Sequence, residues 1–183
     1  ILMRTETDES FAENHRLTLA VLHSKVQVWK QKLLAEREKR IRPGLDDKIL
    51  ASWNAMTISG LVSCYKAFSE HEYLDLALAN ADFLKEKMIN ESGEIFHSYK
   101  NNQAKISGFL EDYAFVIEAF TALFEVTCEK SWFKLAQQLT ERSIAQFYDQ
   151  QNMFFYFTSN KQTELIIRTV EVYDNVIPSS NSV

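Results

Sequence analysis

Two adjacent aspartates, Asp46 and Asp47, sit beside a lysine, a tryptophan and an asparagine in the stretch Arg42-Pro43-Gly44-Leu45-Asp46-Asp47-Lys48-Ile49-Leu50-Ala51-Ser52-Trp53-Asn54. Acids meet an aromatic ring again in Glu111-Asp112-Tyr113, and a third set combines Tyr173 and Asp174 with Asn181. Carboxylates, amides and aromatic faces together suit a sugar, whose hydroxyls take polar partners in pairs and whose C–H face stacks on a ring. A glycoside hydrolase uses two carboxylates, one as acid and one as base or nucleophile. Asp47 and Asp112 are the candidate catalytic pair. Lys48, Trp53, Asn54, Glu111, Tyr113, Tyr173, Asp174 and Asn181 are the candidate substrate-binding residues. Each acid also has a plainer reading, because a carboxylate in the first turn of a helix satisfies free N–H groups and the helix dipole. Trp53 and Tyr113 suit a core equally well. Recurrence favours chemistry, since a cap needs one acid per helix. Substitution by Asn separates the two readings if these acids only cap, because Asn caps nearly as well as Asp.

A sugar 2-epimerase would instead abstract a proton next to a carbonyl, normally with histidine. His15, His23, His71 and His97 all fall outside the three stretches; His97 reads as a strand residue in a hairpin, with the funnel as the alternative. No His, Cys and carboxylate cluster has metal-ligand spacing, and neither a glycine-rich phosphate loop nor a nucleophile elbow is present. No metal and no cofactor is therefore expected.

The elements that hold these residues are long and few. The 183 residues are 46% hydrophobic and 25% charged, enough for one domain with a core, and only 4 Gly and 2 Pro leave little room for turns. A net charge of -5 opposes a nucleic-acid surface. The basic run from Lys30 to Arg42 is interrupted by Glu36 and Glu38 and reads as a solvated helix end. Cys64 and Cys128 read as buried reduced thiols. No apolar run has membrane-spanning length and Ile1-Leu2-Met3-Arg4-Thr5 is no signal peptide, so the default location is cytoplasmic.

Ser10 with Glu13 has the form of a capping box, and a restart is expected near Thr18. Leu19, Leu22, Val26, Trp29 and Leu33 then share one face of a helix that ends by Ile41. A second helix, from about Asp47 to Phe68, carries Leu50, Trp53, Thr57, Leu61, Cys64 and Phe68 on one stripe, with Gly60 admitting a neighbour. A third runs from Tyr73 to about Met88, with Leu74, Ala77, Leu78, Ala81 and Leu84 inward. A short β-prone segment over 94–99 and a polar turn at Asn101-Asn102 follow. Then helices over 109–127 and 132–148 and a β-prone stretch over 153–158 repeat the pattern. An offset of 59 places Ala55 on Ala114, Ile58 on Ile117, Tyr73 on Trp132, Ala77 on Ala136 and Phe96 on Phe155. Such a repeat buries its helices only by stacking on like neighbours. The fold class expected is all-α, an α/α toroid with short β-hairpin segments between helical hairpins. Residues 1–183 supply about two and a half hairpins of it, so both ends read as cut from a longer protein and the isolated piece is expected to self-associate. All three chemical stretches then fall on one rim.

Arg-Pro-x-Leu-Asp-Asp-Lys-x-Leu-x-Ser-Trp-Asn at 42–54, Gly-Phe-Leu-Glu-Asp-Tyr-Ala-Phe at 108–115 and Tyr-Asp-x-x-x-Pro-Ser-x-Asn-Ser-Val at 173–183 resemble the YyaL-type, spermatogenesis-associated, thioredoxin-domain proteins. Ala55 and Ser180 stand where glycine is usual. The resemblance implies an (α/α)6 barrel similar to N-acylglucosamine 2-epimerases and six-hairpin glycosidases, with a thioredoxin-like domain elsewhere in the parent chain as partner. Two functions compete: binding or processing of a carbohydrate-like small molecule at the rim, as a hydrolase or epimerase-like enzyme, or a non-catalytic scaffold supporting the thioredoxin-like domain. An open acidic rim favours the first, and a rim plugged by Trp53 and Tyr113 the second.

Overall fold

The computed structural model describes residues 5–162 and 166–183. Ile1 to Arg4, on which part of the signal-peptide reading rests, lie outside the described residues. The chain divides into two compact units, 1–46 and 47–183.

The first unit holds α1 (Asp8–Asn14) and α2 (Leu19–Glu38). Thr7, not Ser10, caps α1: the Ser10 N–H donates to Thr7 Oγ1 at 3.2 Å, so the expected box lies one turn too late. Thr18 caps α2 as expected, accepting from the Val21 N–H. Of the apolar face read from the spacing, only Leu22 is buried, and Leu33 is 71% exposed.

The second unit is built from the repeat. β1 (Ile49–Leu50) leads into α3 (Ala51–Phe68), and α4 (His71–Phe83) returns and ends in a π-helical turn, Leu84–Met88. β2 (Phe96–Lys100) and β3 (Gln103–Ser107) form a hairpin, followed by α5 (Leu110–Thr127), α6 (Lys130–Phe147), β4 (Tyr148–Asp149) and β5 (Phe154–Phe155). Asn101 and Asn102 both have positive φ, which suits asparagine and turns the hairpin in two residues. The starts and ends of α3 and α5 are 59 residues apart, and so are their left-handed C-cap residues, Ser69 and Cys128. Lys66 Nζ lies 2.8 Å from Glu125 in the last turns of these two helices, while the Ser52 N–H reaches Asp112 at their first turns. Contact at both matching ends means that α3 and α5 run parallel and in register.

Four expectations are corrected here. The helix expected from Asp47 begins at Ala51, because Ile49 and Leu50 pair with Tyr99 and Ser98 and are held extended. Asp46 and Asp47 therefore lie ahead of the helix and not in its first turn, and exposed Asp47 pairs with Lys100. The buried stripe of α3 is Ala51, Ser52, Ala55, Ile58 and Val62, not the stripe through Trp53 and Phe68, which are 62% and 66% exposed. Small residues face inward because α3 is packed on both α4 and α5. A Cβ at Gly60 would meet open space, so that glycine admits no neighbour. Cys64 is half-buried and Cys128 exposed, so neither is a fully buried thiol.

The close approach occurs at Gly108. Its N–H donates to the Ile95 carbonyl at 2.8 Å, and a Cβ built on it would lie 2.8 Å from that same oxygen. This contact ties the β-hairpin to the start of α5. Gly108→Ala is expected to cost about 1–3 kcal/mol, read as a lower urea midpoint at unchanged slope.

Candidate functional site

The β1–β2 pairing lays β2 along the entrance to α3, and Gly108 holds the entrance to α5 against the residue preceding β2. The two helix N-termini and His97 of β2 meet there. Asp112, in the first turn of α5, is fully buried and saturated. Its Oδ1 accepts from the Ser52 N–H of α3 at 3.1 Å and its Oδ2 from the Phe109 N–H at 2.9 Å. It thus caps its own helix and the neighbouring one. His97 Nδ1 lies 2.9 Å from Oδ2 and 3.2 Å from Oδ1. With Nδ1–H donating to the Asp112 carboxylate, the neutral ring leaves Nε2 as its free base. The His97 ring meets Phe109 edge-on at 5.0 Å, and Phe109 stacks on Phe157 at 4.9 Å.

The hydrogen bond to Asp112 raises the His97 pKa above its ordinary value against the pull of burial; the charges of Asp112 and Glu111 add to the rise and Lys48 opposes it. Glu111 is also raised, first by burial and then by repulsion from Asp112, with Glu171 adding to it and His97 opposing it.

His97, Glu111 and Asp112 can each offer one ligand atom, all within 4.8 Å of one another. The linear sequence, with no metal-ligand spacing, gave no sign of this cluster, because a strand and a helix bring it together. Both Asp112 oxygens already accept backbone N–H groups, so the arrangement is complete as a hydrogen-bonded acid–base group.

Of the sequence candidates, the structure brings together Glu111 and Asp112, with Lys48 close enough to be felt by His97. Trp53 is 62% exposed. Asn54 donates its side-chain amide to the Leu50 carbonyl. Tyr113 lies in the core, 2% exposed, its hydroxyl accepting the Ile95 N–H and its ring against Phe147. Tyr173 is 88% exposed. Asp174 accepts from the Ser179 N–H and the Ser182 hydroxyl, and Asn181 grips both backbone groups of Phe155 and the Glu171 carbonyl. These last two pin the 170–183 segment. The residue that sequence reasoning underrated is His97. Period-two alternation places it on the same strand face as Ile95, which is 1% exposed, and that parity was the available signal.

A cavity of about 370 Å³ opens between Glu111 and residues 170–173 and 175–180. A larger groove of about 670 Å³ runs along α5 past Ile117 and Thr121 and is lined by none of His97, Glu111 and Asp112, whereas Glu111 lines the smaller one.

Residues 27–178 match the family model described as β-L-arabinofuranosidase, GH127 catalytic domain. The uncharacterised protein B0495.5 of Caenorhabditis elegans is 31% identical over 192 residues, covering 100% of this chain and 26% of its own length. Human spermatogenesis-associated protein 20 is 31% identical over 164 residues, covering 84% of this chain and 21% of its own. The chain thus spans about a quarter of the length of the curated relatives it matches. Among solved structures, cellobiose 2-epimerase from Bacillus thermoamylovorans superimposes with a TM-score of 0.60 at 15% identity, over 72% of this chain and 35% of that one. A GH76 α-mannanase of Bacteroides thetaiotaomicron gives 0.58 at 15%, over 64% and 33%. The fold is that of the α/α toroids. Among the described residues no helix is long and apolar enough to cross a membrane.

Proposed function

We propose a carbohydrate site at His97, Glu111 and Asp112, on the premise that the chain belongs to the family of β-L-arabinofuranosidase GH127 catalytic domains. One observation carries the reading: a half-buried carboxylic acid with a raised pKa stands beside a histidine whose Nδ1 is held by a fully buried aspartate. Groups poised in this way are those that exchange protons with a substrate. His97 Nε2 removes the proton from the carbon next to a sugar carbonyl while Glu111 protonates the carbonyl oxygen; the electron pair of the broken C–H bond forms the enediol. Return of the two protons gives the epimer or isomer. Asp112 touches no substrate and positions His97. Family membership favours a second reaction on the same groups, in which Glu111 protonates a glycosidic oxygen and His97 activates water. Asp47, paired with Lys100 in an exposed loop, is assigned no step in either reaction. The thioredoxin-like partner domain implied by the resemblance, and a cytoplasmic location, remain parts of the proposal.

The test is exchange in D2O. Full-length protein incubated with D-mannose, D-glucose or L-arabinose should speed loss of the proton next to the carbonyl, followed by NMR, and His97→Gln should abolish it. No acceleration with any of these sugars, together with no release from the matching p-nitrophenyl glycosides, favours the scaffold.

A further inference from the structure

α3 and α5 occupy equivalent places in the repeat, and each leaves open the face that the other closes. The stripe of α5 that carries Asp112 onto the Ser52 N–H of α3 continues through Val116, Ala119 and Leu123, all of them buried. The positions 59 residues earlier, on α3, are Trp53, Thr57, Gly60 and Cys64. These stand open: the first three are exposed, Cys64 is half-buried, and a Cβ on Gly60 would meet empty space. The converse holds on the far side of α5. Ala55, Ile58 and Val62 of α3 are buried, at 0%, 0% and 1% exposure, where α3 packs on α4 and α5. Their counterparts Ala114, Ile117 and Thr121 line the groove of about 670 Å³. α6 packs on α5 as α4 packs on α3, so what the groove lacks, among the described residues, is the counterpart of α5 itself. Ile144 and Val183, 51% and 46% exposed, extend its apolar lining.

We propose that this groove is the docking site for α3 of a second copy of the chain, laid parallel to α5 in the register that α3 and α5 keep within one copy. The open stripe through Trp53 and Cys64 stands to the groove as the stripe through Asp112 and Leu123 stands to α3, so the contact repeats an interface the fold already makes. The charges agree with that register. Within one copy Lys66 pairs with Glu125, 59 residues further on. In the docked pair Glu125 takes the place of Lys66 and the second copy's Lys66 takes the place of Glu125, so opposite charges meet again with their order exchanged. Trp53 replaces the capping Asp112, and the docked helices are held by packing where the intramolecular pair has a cap. Stripe and groove are different surfaces, so the association runs head to tail and further copies add in the same sense. It is independent of the chemistry at His97.

Sedimentation of the 183-residue chain over a range of concentrations tests the proposal, with Gly60→Arg on the stripe and Thr121→Arg in the groove. Both positions are exposed, so neither change should move the melting temperature of the monomer. The wild type should associate, its mass rising past that of a dimer. Each variant alone should associate about tenfold more weakly or not at all, because docking would bury an arginine without a partner. Mixed in equal amounts, the two variants should form a 1:1 dimer and stop there, since each keeps the face that the other has lost. A wild type that stays monomeric at every concentration overturns the proposal. A mixture that recovers no dimer overturns the head-to-tail contact. Association that survives both arginines but is lost in Leu33→Lys belongs to the exposed face of α2 and overturns it as well.

Discussion

Glu111→Gln is expected to lower turnover of the sugar by about 10²- to 10⁴-fold, the range over which a positioned proton donor acts, while the melting temperature at neutral pH holds or rises. The two effects have one cause. Burial, then Asp112, then Glu171 disfavour the Glu111 carboxylate, so the folded protein holds the proton more tightly than the unfolded chain does. A carboxyl raised in the folded state contributes stability that is complete below its ordinary value of 4.5 and is lost as pH rises through the raised value. Glutamine keeps the shape, never ionises and cannot give up a proton. The variant should therefore show its gain in melting temperature only above that window, and its loss of turnover at every pH. Thermal melts from pH 4 to 8 beside D2O exchange rates provide the check. Turnover within about twofold of wild type would remove Glu111 from the chemistry.

The repeat was legible because it is a local property written twice: the 3.6-residue period and the tight turns recur with an offset of 59, and the ends of α3 and α5 keep that offset to the residue. What escaped depends on partners distant in sequence. Nothing near Ile49 and Leu50 announces that Tyr99 and Ser98 will hold them extended, so the acids before them looked like the first turn of a helix. Trp53 and Phe68 looked like core because an apolar stripe was counted without knowing which face α4 and α5 would cover. Asp112 was legible as an acid at a helix start, but its second duty, capping Ser52 across the parallel helix pair, exists only once the repeat has stacked. His97 stands 15 residues from Asp112 in the chain, and only the hairpin's return brings them together.

The structure also changes what substitution of Asp112 should do. At an ordinary helix start Asn replaces Asp at little cost. Here both oxygens accept backbone N–H groups, from Ser52 and Phe109, so an amide must turn its NH2 toward one of them and leave that buried donor unpaired. Asp112→Asn should therefore lose about 1–3 kcal/mol of stability. Asp112→Ala, which also strips His97 of its partner, should lose about 3–5 kcal/mol. A positioning role adds a readout that a cap lacks. The hydrogen bond to Asp112 is the largest cause of the raised His97 pKa, so without the carboxylate His97 should titrate lower, observed as its ring-proton NMR shift against pH. The sign follows from linkage: stability contributed by the raised histidine is complete below 6.5 and is lost as pH rises through the raised value. Wild type should accordingly lose melting temperature above pH 6.5 in a way that Asp112→Asn does not. The rising limb of turnover, which needs His97 deprotonated, should move to lower pH in the variant. If Asp112→Asn melts lower while His97 titrates where it does in the wild type, Asp112 only joins two helices, and His97 takes its basicity from elsewhere.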